Sequence, residues 1–186
     1  MKKKVALITG GSRGIGLGIA KALAEKGYSL AINGVRDESG VTEVLEELKA
    51  YGQDVIYCQG DISKAKDRKS IVSKIKDHYG QLNVLVNNAG FNRTGHFKDA
   101  DLSKQLAMIR LHLDATTRLS HAVIPQMRKN KSGAVINVAS LGGLIPMPGS
   151  ATYNATKAYL VSFSESLASE LADFGITVQA LCPGFT

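Results

Sequence analysis

The sequence predicts a doubly wound parallel α/β domain, and three observations carry that prediction. Six short, almost continuously apolar runs recur along the chain. Stretches with helical spacing separate them, each long enough to cross between parallel strands. The runs also lack the alternation of a half-exposed sheet, as strands covered by helices on both faces should.

The first run, "VALIT" (5–9), follows the basic start "MKKK" as a secretory leader would. Thr9, Gly10 and Gly11 end it too early for a signal sequence or a membrane span, so it reads as a buried strand. A helix over 14–27, the strand "SLAIN" (29–33) and a helix over 39–51 follow. Next come the strand "VIYCQ" (55–59) and a helix over 63–79. The second half gives "LNVLVN" (82–87), a helix over 102–129, "AVINVAS" (134–140), a helix over 151–174 and "ITVQALC" (176–182). In the long helix Leu102, Leu106, Ile109, Leu113, Val123, Ile124 and Met127 keep helical spacing. No repeat, low-complexity tract or linker divides the 186 residues, so a single domain is expected, with right-handed connections.

A hydrophobic content of 44% and a charged content of 21% are ordinary for a soluble protein. Cys58 and Cys182 make no disulfide framework, and no Cys/His cluster has metal-ligand spacing. A reducing cytoplasm and no metal are expected. The net charge of +7 points to anionic partners. The basic residues are scattered, no aromatics interleave with them and tryptophan is absent, which argues against nucleic acid.

Ligands of such sheets bind beyond the carboxyl ends of the strands. The first strand runs into "TGGSRGIG" (9–16), where Gly10, Gly14 and Gly16 open a helix whose amides would face a pyrophosphate. Gly18 lies outside this pattern and reads as a helix-packing glycine. Readers of NAD usually carry an acid near the end of the second strand to hold the ribose 2′-hydroxyl. Here "NGVRD" (33–37) places Gly34 and Val35 there, then Arg36, with Asp37 late. Arg36 and Arg13, two guanidiniums without an early carboxylate, suit a 2′-phosphate, so NADP is expected over NAD.

"YNATK" sets Tyr153 and Lys157 four apart, on one helical face. With 6 tyrosines, about half a match to that spacing is expected by chance, so the pair alone decides little. Together, "TGGSRGIG", "GDI" (60–62), "NNAG" (87–90), Ser140, "YNATK" (153–157) and "PG" (183–184) resemble the short-chain dehydrogenase/reductase family in order and spacing. Within it, the chain is similar to the compact cytosolic branch that holds 3-oxoacyl-acyl-carrier-protein reductases.

The resemblance implies a nicotinamide cofactor held by Gly10, Ser12, Arg13, Gly14, Ile15 and Gly16, with Asp61 and Ile62 at the adenine. It places Asn87, Asn88, Ala89 and Gly90 on the ribose side, and Pro183 and Gly184 at the nicotinamide. It implies Ser140, Tyr153 and Lys157 as the catalytic trio, Tyr153 and Lys157 also touching the cofactor. Elementary chemistry agrees: carbonyl reduction needs a proton for the developing alkoxide, and a free phenol, pKa about 10, gives one reluctantly at neutral pH. A neighbouring ammonium stabilises the phenolate, and a serine hydroxyl can donate to the substrate oxygen.

Two departures from the family pattern stand out. The family's helical asparagine, which supports a proton-feeding water chain, is replaced by His112. A histidine can both donate and accept, so His112 is either a substitute with its own pH dependence or a packed helical side chain. The chain also stops at "LCPGFT", before the substrate-covering segment and last strand of relatives, so a missing C-terminal segment is expected.

The pocket should draw on 91–97 and on the apolar loop 141–150, with Leu141, Leu144, Ile145 and Met147. That composition favours a lipophilic or acyl carbonyl. Arg128, Lys129 and Lys131 offer a patch for acidic acyl carrier protein, whereas Asp173 and Phe174 stand where such reductases often carry a basic residue. The resemblance further implies a homodimer through helices 102–129 and 151–174. The expected function is NADPH-dependent carbonyl–alcohol interconversion, with a non-catalytic dinucleotide-binding protein of the same fold as the alternative. An epimerase, which would carry a larger C-terminal substrate domain, is disfavoured.

Overall fold

The structure is a computed structural model describing residues 3–184; Met1 and Lys2 of the basic start, with Phe185 and Thr186, lie outside the described residues. Its contacts gather into two compact units, Met1–Ala89 and Gly90–Thr186.

In the first unit the order is β1 (Val5–Ile8), α1 (Gly14–Glu25), β2 (Ser29–Gly34), α2 (Thr42–Lys49), β3 (Val55–Gln59), α3 (Ala65–Tyr79) and β4 (Val84–Asn87). Strand β1 lies parallel between β2 and β4, with Leu7 opposite both Ala31 and Leu85, and β3 pairs with the far side of β2. Leu7, Ile8, Leu30, Ile32 and Leu85 are fully buried, each contributing about 1.5–3 kcal/mol relative to exposure. Helix α1 buries only Gly16, Ala20 and Ala24, small residues that let it lie close to the strands. It ends two residues earlier than its spacing suggests, because Gly27 adopts φ +83° and turns the chain out.

The second unit contains α4 (Leu102–Ile109), a π-helical segment (Arg110–Ala115), α5 (Thr116–Asn130), β5 (Gly133–Val138), α6 (Ala151–Leu171) and β6 (Ile176–Leu181). Strands β5 and β6 are parallel, with Val135 opposite Val178. The helix expected as one piece over 102–129 is thus broken by a wider turn, a feature common at functional sites. Its inward face also differs from the apolar periodicity. Leu102 and Leu106 point outward, 62% and 43% exposed, whereas Gln105, Met108, His112, Thr116, Leu119 and Ser120 face in. The π turn seats His112 inside, where its polar atoms find partners. Among the described residues no helix is long and apolar enough to cross a membrane.

Candidate functional site

The glycine turn of the first unit is braced from below. Thr9, fully buried at the end of β1, accepts hydrogen bonds at its hydroxyl from the amides of Asn88 (2.9 Å) and Ala89 (3.0 Å). It donates to the Val86 carbonyl. The Asn88 side chain in turn donates to the carbonyls of Thr9 (2.8 Å) and Gly10 (3.1 Å). Gly10 sits at φ +61°, a conformation most side chains resist. A Cβ on Gly16 would press on the Gly10 carbonyl and the Asn88 amide. Arg13 begins α1 in extended conformation with no side-chain cap, and the first turn carries no acid. The leading amides are therefore available to an anion.

Gly18, expected to be a packing glycine, instead faces open space; helix α1 makes its close approach through Gly16. The two positions should respond oppositely to alanine. Gly16→Ala is expected to cost about 1–3 kcal/mol through overpacking, and Gly18→Ala to gain about 0.5–1 kcal/mol from helix propensity. Urea unfolding of both variants checks this, and equal effects would overturn it.

At the end of β2 the Arg36 guanidinium reaches back to the turn, donating to the Ser12 hydroxyl at 3.1 Å. The Tyr57 hydroxyl holds the Arg36 carbonyl at 2.7 Å. Asp37 accepts from the Gln59 amide at 2.8 Å. Asp61 caps the Ser63 amide (2.9 Å), and its own amide is held by Asp67 (2.9 Å). Ile62 is buried, with its carbonyl on the Arg68 guanidinium at 2.6 Å.

In the second unit, β5 delivers Ser140, whose Oγ accepts from the Gly142 amide at 3.1 Å and so opens the 3-10 turn Leu141–Gly143. With that lone pair used, its hydrogen is free to be donated. Helix α6 carries Tyr153, half-buried, and Lys157, buried. Lys157 Nζ donates to the Val138 carbonyl at 2.6 Å and lies 5.6 Å from the centre of the Tyr153 ring. Burial pulls the Lys157 pKa down to about 8, partly countered by Cys182. Pro183 accepts from the Leu141 amide at 3.0 Å, and Gly184 lies against the Leu141 side chain.

His112 is fixed by both ring nitrogens. Nε2 accepts from the Phe91 amide at 3.2 Å, so Nδ1 carries the hydrogen, 2.8 Å from Thr156 Oγ1. Thr156 passes its own hydrogen to the Tyr153 carbonyl at 2.7 Å. Burial first, then the Lys157 charge, push the His112 pKa down to about 3. A Cβ on Gly90 would stand 2.7 Å from Nε2, so glycine alone fits over the ring. His96 is exposed.

Thr9 and, in α6, Asn154, whose amide donates to the Met147 carbonyl at 2.9 Å, are the residues beside the site that motif reading passed over. A hydroxyl closing an apolar run was the available signal for Thr9; nothing in the sequence marked the partners of Asn154.

Comparison with known proteins matches this arrangement to one family. The family model described as short chain dehydrogenase matches residues 4–186. The 3-oxoacyl-acyl-carrier-protein reductase FabG of Staphylococcus aureus is 40% identical over 182 residues, covering 98% of this chain and 74% of the relative. A short-chain dehydrogenase structure from Streptomyces avermitilis superposes with TM-score 0.90 at 35% identity, covering 100% of this chain and 66% of that protein. Acetoin dehydrogenase YohF from Salmonella typhimurium gives TM-score 0.90 at 28% identity, with coverages of 98% and 72%. With its parallel doubly wound α/β fold, this chain belongs to the short chain dehydrogenase family of oxidoreductases.

Proposed function

We propose that the chain is a single NADP(H)-dependent oxidoreductase domain that interconverts a carbonyl and a secondary alcohol, with Tyr153 as general acid and base. The observation that carries this reading is the buried Lys157 amine 5.6 Å from the Tyr153 ring. With a pKa near 8 it is mostly an ammonium at neutral pH, the charge that favours a phenolate.

The glycine turn fits a pyrophosphate: Gly10 and Gly16 leave the backbone bare, and the first turn of α1 is uncapped. Gly10, Ser12, Arg13, Gly14, Ile15 and Gly16 would hold the phosphates, Asp61 and Ile62 the adenine. Asn88, Ala89, Gly90, Tyr153 and Lys157 would border the ribose, and Pro183 and Gly184 the nicotinamide. Arg36, already at Ser12, would meet the 2′-phosphate, while the nearby acid Asp37 is occupied by Gln59.

When bound, the nucleotide supplies or accepts the hydride. Ser140 donates its hydrogen to the substrate oxygen, polarising the carbonyl. Tyr153 gives its phenolic proton to that oxygen during reduction and takes it back during oxidation. Lys157 stabilises the phenolate between these events.

The exposed apolar loop with Leu144 (54%) and Ile145 (63%) supports a lipophilic carbonyl. The names of the relatives favour 3-oxoacyl or small hydroxyketone substrates. Acyl carrier protein is a candidate donor of such groups, docking at Lys129 and Lys131; Arg128 stacks on Phe174 at 4.1 Å. The outward Leu102, Leu106 and Ile109 and the Tyr159–Phe163 stack support a homodimer through these helices. The two free cysteines, Cys58 and Cys182, support a reducing, cytoplasmic setting.

A second reading, a dinucleotide-binding protein without turnover, draws on His112, both of whose nitrogens are engaged and unable to relay protons. Two measurements decide. At a hundredfold its dissociation constant NADPH should stabilise the chain by about 2.7 kcal/mol, and NADH at equal concentration much less. NADPH should then be consumed with a ketone or 3-oxoacyl thioester. Equal shifts would sink the NADP assignment, and stabilisation without consumption would favour the second reading.

A further inference from the structure

The geometry points to Asn154 as a positioning residue that clamps the 141–149 loop over the catalytic helix and thereby aims Ser140. This inference rests on the oxidoreductase reading above.

Asn154 follows Tyr153 in α6 and is 5% exposed. Its amide nitrogen donates to the Met147 carbonyl at 2.9 Å. Its Oδ1 is buried without a hydrogen-bond partner. A buried acceptor without a donor is costly, and a leucine in its place would avoid the cost. What leucine would forfeit is the hold on Met147.

The orphan oxygen also explains Gly142. A Cβ there would come to 2.7 Å from Asn154 Oδ1, while the next nearest atoms, Asn154 Cγ and Ser140 Oγ, lie at 3.6 Å, ordinary van der Waals contact. Gly142 lies outside the left-handed region, so its backbone accepts alanine, and Asn154 alone excludes the extra carbon. Gly142 is also the residue whose amide occupies the Ser140 lone pair. Asn154 therefore sets the position of Gly142, and Gly142 sets the direction in which Ser140 can donate. The hold extends outward, because Gly149 accepts from the Gly95 amide at 2.9 Å and so ties the 91–97 segment to the same loop. The clamped stretch carries the exposed Leu141, Leu144, Ile145 and Met147, the side chains offered to substrate.

The test is a double-mutant cycle on Gly142→Ala and Asn154→Ala, read by steady-state kinetics and by amide hydrogen exchange. Each single change should lower kcat/KM for the carbonyl about tenfold, as small misplacements at reacting groups do, with the KM for NADPH unchanged. The pair should be no worse than Asn154→Ala alone, because the new methyl fills the space the amide left. Exchange of the 141–148 amides should quicken in Asn154→Ala while that of β1 stays as it was. Should Asn154→Ala fold poorly, Asn154→Asp keeps the volume, removes the donor to Met147 and should release the loop alike. Losses that simply multiply in the pair, or unchanged exchange in the loop, would overturn the clamp. If even the unaltered chain consumes no NADPH, the oxidoreductase reading fails, and the exchange comparison still decides the clamp.

Discussion

Replacing Tyr153 by phenylalanine is expected to lower kcat by about 10²–10⁴-fold, the usual loss when a general acid/base is removed, while leaving NADPH affinity nearly unchanged. The substitution deletes one oxygen and keeps the ring. The ring contacts are the ones the structure records: an edge-to-face approach to His112 at 6.0 Å and the Lys157 amine at 5.6 Å from its centre. The helix itself is held by other groups, Lys157 on the Val138 carbonyl and Thr156 on the Tyr153 carbonyl. Unfolding midpoint and nucleotide titration should therefore match the parent protein. Turnover by the phenylalanine variant at the parent rate would remove Tyr153 from the chemistry.

Acid should destabilise the fold through His112. Its native pKa, near 3, lies below the unfolded value of 6.5. Between these limits the unfolded chain holds a proton that the native state refuses, so unfolding becomes easier as pH falls. The stabilisation is complete above 6.5 and gone below about 3, on the order of 3–5 kcal/mol across the window. The physical cause is specific. A proton on Nε2 would break the bond from the Phe91 amide and place a charge in a buried site beside Lys157. Urea unfolding between about pH 7 and about pH 4, which spans most of the window, should show a steeper loss for the parent than for His112→Gln. Parallel curves would mean that native His112 takes up its proton as readily as the unfolded chain does, and would remove it as the source of the acid sensitivity.

Much of this molecule is legible in its sequence, for identifiable reasons. The first two strands announce themselves because Leu7, Ile8, Leu30 and Ile32 are buried and stand in runs, VALI and LAI, that no polar residue interrupts. The glycine turn is legible because backbone approach and positive φ admit few alternatives to glycine. The long helix misleads because its outward Leu102, Leu106 and Ile109 are apolar while its inward face carries Gln105, His112, Thr116 and Ser120. A buried polar group calls for a partner, and for His112 that partner, Thr156, lies far along the chain, as does the Ser164 partner of Asn137 in β5. Periodicity records neighbours on one element and is blind to these pairings. The Asn154–Gly142 fit escapes for the same reason, since neither residue is unusual until they are brought together.

The network around Thr9 has a consequence for how a nucleotide is received. Its one hydroxyl gathers two amides, and the Asn88 side chain ties off two carbonyls, so the loop that would cradle the phosphates is already in its working shape. A loop ordered only by its ligand spends part of the contact energy on its own immobilisation. Here that expense falls on folding, and arrival of the nucleotide becomes a docking onto a finished surface.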